Sequence, residues 1–216
     1  VINLAHGEFM ILGAYVTYMC SIFFADYMPA LFDIYFFVAM ILAFIAAGAL
    51  GMLVEWGLIR HLYRRPLDTL LATFGLSLIL QQIYRSTFGA REVGVTVPDW
   101  MLGAFQVTDL VELPINGLFV MILALAIFVA IFVMLYRSSW GKQVRAVVQN
   151  RQMAGAVGIN TEWTDRLTFG IGCGVAGVAG SAFTMIGSTG PSSGQLYIVD
   201  TFLVVVFGGA TSLLGT

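Results

Sequence analysis

GKQVRAVVQNRQMAGAVGINTEWTDR, residues 141–166, is the longest polar-to-amphipathic passage in a chain that is otherwise mostly apolar. It carries Lys142, Arg145, Arg151 and Arg166 and lies between two segments long enough to cross a bilayer. It is patterned as a folded element and not as a slack linker. Asn150 is placed to cap a short helix from about 151 to 157. Gly158 falls where a left-handed residue ends such a helix, and Ile159 is the residue that folds back after it. A short, capped, basic helix between two spans is a surface on which something outside the membrane can push.

Composition sets the solvent. Of the 216 residues 59% are hydrophobic and 10% charged, and the mean hydropathy is +0.92. A soluble domain carries about 25% charged residues. A water-soluble core of this size cannot hide so much apolar surface, so most of the chain is solvated by lipid. The net charge of −2 and the absence of a basic patch beyond the loops argue against nucleic acid as a partner. Cys20 and Cys173 lie in apolar segments and read as packing residues, without disulfide or metal-ligand spacing. No basic leader or cleavage site is visible at Val1, and both ends of the chain read as lying inside membrane segments, which is the pattern of part of a longer protein.

Outward from 141–166, the expected spans are 1–25, 34–59, 67–88, 117–136, 167–186 and 196–216. The segment 117–136 is the cleanest, without charge or internal Gly or Pro; about 20 residues at 1.5 Å match the ~30 Å hydrocarbon thickness. Between them lie an acidic loop at 26–33, a basic turn at 60–66, a loop at 89–114 and a Gly/Ser loop at 187–195. Charge then orients the chain. Arg60, Arg64, Arg65, Arg137, Lys142, Arg145, Arg151 and Arg166 fall on one side, and only Arg85 and Arg91 on the other. Basic loops stay in the cytoplasm, so 141–166 is cytoplasmic and 89–114 extracytoplasmic. The fold class expected is all-α: a polytopic transmembrane helical bundle forming one domain over 1–216, with a cytoplasmic coupling segment.

Polar groups inside the spans are the functional candidates, because a charged side chain at mid-helix costs about 2.5–3.5 kcal/mol on insertion scales. Glu8 and His6 either line a pathway or form an end-of-helix pair in the cytoplasmic interface. Asp200 either caps a half-helix or lines the pathway, the cap being favoured. Thr73, Ser77 and Gln81 stand at i, i+4 and i+8, one stripe on one helical face. In lipid such a stripe faces protein or water: it lines a solute path or bonds helices together at about 0.6 kcal/mol per hydrogen bond. Glu55, near the cytoplasmic end of its span, is an interface residue awaiting an arginine.

Several chemistries are set aside. GCGVAG at 172–177 matches a dinucleotide fingerprint, but it sits inside an apolar span where small residues four apart let helices approach. GSTG at 187–190 has only the distant His6 and His61 as bases, so an intramembrane hydrolase is not indicated. No phosphate-binding lysine loop is present, so ATP, if it drives the protein, acts through another subunit. No cofactor or metal is expected.

VINLAHGEFMILGAY (1–15), RAVVQNRQMAGAVGIN (145–160) and VDTFLVVVFGGATSLLGT (199–216) resemble permease subunits of ATP-binding cassette importers for branched-chain amino acids and related solutes. RPLDTLLATFGLSLILQQIYRSTFGAREVGVTVPDW (65–100) and GPSSGQLYIVDTFLVVVFGG (190–209) look like the urea-type branch of that family. The resemblance implies a bacterial inner-membrane complex of ABC ATPase subunits, a second permease and an extracytoplasmic solute-binding protein. It implies that 145–159 is the coupling helix, with Arg145, Arg151, Met153, Ala154 and Gly158 meeting the ATPase. It makes urea, a small neutral solute, the first expectation for the substrate, and Glu8, His6, Thr73, Ser77, Gln81 and Asp200 the pathway candidates. A branched-chain amino acid or a short amide is the alternative solute, and a passive urea or amide channel the alternative mechanism.

Overall fold

The computed structural model describes residues 3–63, 65–108 and 111–209. The expectations that touch Val1, Arg64, Asp109 and 210–216 lie outside those residues. Eight α-helices follow in order: α1 His6–Tyr27, α2 Tyr35–Gly57, α3 Pro66–Phe88, α4 Ile115–Arg137, α5 Ser139–Gln149, α6 Arg151–Ala156, α7 Thr161–Phe183 and α8 Ser193–Gly208. Among them α1, α2, α3, α4 and α7 are long and apolar enough to cross a membrane. The polytopic helical bundle expected from sequence is present. One departure lies in the loop after α3. There β1 (Ala104–Thr108) and β2 (Val111–Pro114) pair antiparallel, with Phe105 opposite Leu113 and Gln106 opposite Glu112.

The centre of the bundle is α1, α2 and α7, and glycine makes it possible. A Cβ on Gly13 would overlap the carbonyl of Gly177, and one on Gly180 the carbonyl of Met10. A Cβ on Gly177 would stand 2.6 Å from the Ala43 oxygen, and one on Gly51 2.6 Å from Cys173 Cβ. The backbones therefore touch, which is how helices associate where lipid is as apolar as the side chains. Thr17 and Ser181 share a hydrogen bond of 2.5 Å across the same contact. The fingerprint-like GCGVAG is thus a packing face: Cys173, Gly174 and Gly177 are buried, while Gly172 has open space around it.

Three segment boundaries differ from expectation. Helix α7 starts at Thr161 and not at 167, because the Asn160 side chain caps it by accepting from the Trp163 N–H at 3.0 Å. The cytoplasmic segment contains a second, longer helix: Ser138 Oγ accepts from Gly141 N–H (2.9 Å) and opens α5. Helix α8 has 16 residues, about 24 Å at 1.5 Å per residue, too short to span alone.

The sidedness read from charge is consistent with the contacts. Arg60 on the α2–α3 turn pairs with Glu162 at the start of α7 at 2.9 Å, so the basic turn and the 141–166 segment share a face. At the opposite face Trp100 Nε1 donates to the Asp33 carbonyl at 3.0 Å and its ring stacks on Phe37. Helix α4 has no buried residue; it is held near its ends, where Asn116 Nδ2 donates to the Met185 carbonyl (2.9 Å).

Replacing Gly177 by Val forces α7 away from α1 and α2 and is expected to destabilise the bundle by about 1–3 kcal/mol or more. Gly172→Ala, with nothing within 4 Å, is expected to be neutral or to stabilise by up to about 1 kcal/mol. Thermal unfolding of the two variants in detergent checks the contrast, and equal midpoints would remove glycine contact as the basis of the core.

Candidate functional site

The first site grows from the pairing of α1 with α3. The same sequence offset, 69, separates Leu4 from Thr73 and Glu8 from Ser77, and Tyr15 packs on Tyr84 at the same spacing. The two helices therefore run parallel and in step. Ser77 is the midpoint of Pro66–Phe88, so Glu8, in the first turn of α1, lies level with the middle of α3.

Glu8 is 1% exposed. Its Oε1 accepts from Ser77 Oγ at 3.0 Å and from Gln81 Nε2 at 2.8 Å, and Gln81 also donates to Ser77 Oγ at 3.1 Å. Tyr84 Oη donates to the Glu8 backbone carbonyl at 3.0 Å. Thr73, one turn below, accepts from the Leu4 N–H at 3.2 Å and donates to the Thr69 carbonyl at 2.9 Å. The stripe read on α3 thus faces α1, and its polar partner is the one acid of that helix's first turn. Glu8 Oε2 is buried without a hydrogen-bond partner among the described residues. The group can accept one further donor.

Behind Glu8 the start of α8 meets α1 backbone to backbone. A Cβ on Gly194 would lie 2.9 Å from the Gly7 carbonyl and 3.1 Å from Glu8 Oε1. His6 does not join the Glu8 cluster's hydrogen bonds. It lines a cavity of about 220 Å³ between α1, α7 and α8, with Met10, Ala176, Tyr197, Ile198 and Thr201. Asp200 stands mid-way along α8, exposed, and does not cap it, which corrects the capping reading made from sequence. Tyr84, Gly7 and Gly194 were not singled out. Tyr84 continues the α3 stripe seven residues after Ser77 and was findable from that spacing; the Gly7–Gly194 approach had no sequence signal.

The second site is the cytoplasmic segment. Asn150 Oδ1 accepts from Met153 N–H at 3.1 Å and opens α6. Gly158, at φ +90°, closes it: its N–H donates to the Gly155 carbonyl at 3.1 Å, and Ile159 N–H to the Ala154 carbonyl at 3.0 Å. This is the paired-bond helix stop that glycine favours. Met153 and Val157 are exposed on α6 and its cap, and Val148 on α5. Ala154, expected as an outward contact, is 3% exposed and offers no surface to a partner. Arg145 lies over the Tyr136 ring and donates to the Leu135 carbonyl, so it folds back on α4. Arg151 pairs with Asp165 at 2.6 Å and lies over the Tyr63 ring.

Glu55 finds the arginine it required. Arg166 Nε donates to its Oε2 at 3.4 Å, and Tyr63 Oη to its Oε1 at 3.3 Å. Burial, reinforced by the Asp165 and Glu55 carboxylates, raises the Tyr63 phenol above its usual value, so it keeps the proton it donates.

Among the described residues neither site holds a nucleophile–base pair; both are built of hydrogen bonds and ion pairs. The whole chain, residues 1–216, matches the family described as branched-chain amino acid transport system / permease component. The chain belongs to that permease family. It is 31% identical to the high-affinity branched-chain amino acid transport system permease protein LivH of Salmonella typhimurium, over all of this chain and 71% of the relative. It is 30% identical to LivH of Escherichia coli K12 and 28% to BraD of Pseudomonas aeruginosa, with the same coverage. No solved structure matches. The permease is a multi-pass protein of the inner membrane.

Loss of Arg166 leaves Glu55, 1% exposed, without its counter-charge. Arg166→Met is expected to destabilise the permease by about 3 kcal/mol or more. Adding Glu55→Leu is expected to restore most of that loss, as read from thermal unfolding of the single and double variants.

Proposed function

We propose that this permease is the membrane-spanning subunit of an ATP-driven importer for branched-chain amino acids. A separate ATPase acts on the cytoplasmic segment. A second permease completes the pathway, and an extracytoplasmic solute-binding protein delivers the solute. The relatives' names support the solute class, and they favour it over the urea first expected from the sequence. One observation on this chain supports the same choice. Glu8 keeps a buried oxygen without a donor at mid-depth, and an α-ammonium group is a donor of the right charge. Urea, being neutral, gains less from a deep carboxylate. The adjoining cavity, about 220 Å³, is smaller than the ~300–1,000 Å³ of drug-sized sites and suits a small, partly aliphatic solute.

In this reading Glu8, Ser77 and Gln81 form a polar station on the pathway, with Thr73 below it and His6 at the neighbouring cavity. The exposed Val148, Met153 and Val157 meet the ATPase, and Gly158 keeps α6 in shape for that contact. Nothing covalent happens to the solute. ATP-driven closure of the partner shifts the population between outward and inward facing states.

The urea reading keeps one support, the resemblance of 65–100 and 190–209 to the urea-type branch, and a single assay separates the two. The permease is reconstituted in proteoliposomes with its ATPase, second permease and binding protein, and offered radiolabelled leucine, urea and acetamide. ATP-dependent leucine uptake is the expected outcome; uptake of urea or acetamide alone would replace the solute, and uptake that survives omission of the ATPase would sink the importer. Glu8→Gln, which keeps the shape and removes the charge, is expected to cut leucine uptake about tenfold or more, the scale of losing one charge-assisted hydrogen bond. Gly158→Val places a branched residue at positive φ, a strain of roughly 1–2 kcal/mol in the α6 stop. It is expected to lower uptake while the protein remains in the membrane.

A further inference from the structure

The cytoplasmic rim carries a closed circuit of five side chains drawn from four separate parts of the chain. Arg151, the first residue of α6, pairs with Asp165 of α7 at 2.6 Å. The Arg151 guanidinium also stacks over the Tyr63 ring, 4.9 Å from its centre. Tyr63, on the α2–α3 turn, donates to Glu55 of α2 at 3.3 Å. Arg166, the chain neighbour of Asp165, donates to the same Glu55 at 3.4 Å and closes the ring.

We propose that Arg151 is an internal strut of the permease, tying the ATPase-facing helix α6 to α2 and α7, and not a contact with the ATPase itself. The proposal rests on the importer reading above and reassigns one residue within it. Helix α6 has six residues and is stopped at both ends by capping hydrogen bonds, so it moves as a unit. Its inward side holds Ala154, which is too small to grip. Arg151 supplies the grip, through charge to α7 and through its planar face to the turn that leads into α3. Asp165 and Arg166 lie in the first two turns of α7, which touches α2 and α1 backbone to backbone further up. A displacement of α6 is therefore passed by Arg151 to α7 and along its backbone to the close contacts at Gly170, Cys173 and Gly177. Arginine suits this role because one planar guanidinium stacks on a ring and pairs with a carboxylate at once; a lysine ammonium does not.

The test uses the full-length permease with its ATPase, second permease and binding protein in proteoliposomes, with radiolabelled leucine as the solute. Arg151→Met is expected to bind the ATPase within about twofold of the parent, yet to import about tenfold less solute per ATP hydrolysed, the scale of one broken coupling contact. Tyr63→Leu, at the half-buried ring under the Arg151 guanidinium, is expected to uncouple in the same way. Met153→Asp, on the exposed face, is expected to weaken ATPase binding instead. Arg151→Asp combined with Asp165→Arg is expected to regain import that Arg151→Asp alone loses. If Arg151→Met weakens ATPase association as much as Met153→Asp does, or if Tyr63→Leu couples like the parent, the strut is overturned. The circuit is also read on the permease alone in detergent, where Arg151→Met and Tyr63→Leu are expected to be non-additive in thermal midpoint. Additivity overturns the strut whether or not the parent complex transports. A parent complex that imports nothing sinks the importer reading by itself.

Discussion

Backbone contact through glycine is the constraint on which the remaining structure depends. Lipid gives apolar side chains no reason to leave it, so helices in a membrane associate by close van der Waals approach and by hydrogen bonds. Gly13, Gly177 and Gly180 bring α1 and α7 into direct contact, and Gly51 seats Cys173 against α2. With the three backbones this close, the rotation of each helix is set. The rotation of α1 sends Glu8 toward α3, and that of α7 sends Arg166 toward Glu55 and Asp165 toward Arg151.

Two polar layers follow, and they differ in kind. The layer at mid-depth is built of hydroxyl, carboxamide and a single acid, with one oxygen left over. Such a group is expensive to hold in the membrane interior, which is the ground for proposing it as a solute station. The layer at the cytoplasmic rim is built of paired charges that satisfy one another, as Arg166 does for Glu55. Groups of that sort hold elements in register and carry displacement between them. On the proposed function the first layer recognises the solute and the second transmits, with the glycine-packed helices between them.

Much of this was legible in residues whose partners are close in sequence. The α6 cap and stop could be read because Asn150 and Gly158 act on backbone groups within a few residues. The α3 stripe could be read because helical periodicity puts Thr73, Ser77 and Gln81 on one face whatever lies opposite. Sidedness followed from the excess of Arg and Lys in two loops. Asp200 was misread because an acid early in an apolar segment is ambiguous until the start of its helix is known, and α8 starts at Ser193. Ala154 was misread because a basic, small-residue helix does not declare which side faces inward.

The sequence by itself determined that the chain is a multi-pass helical bundle and where a short capped helix stands between two of its spans. Each of these depends on composition or on interactions a few residues long. Only the tertiary structure decided the burial of Glu8, the identity of its partners and the pairing of Arg151 with Asp165 and Tyr63. Those depend on the rotation and height of α1 against α3 and of α7 against α2, which close glycine contacts between residues far apart in sequence impose and no local pattern encodes.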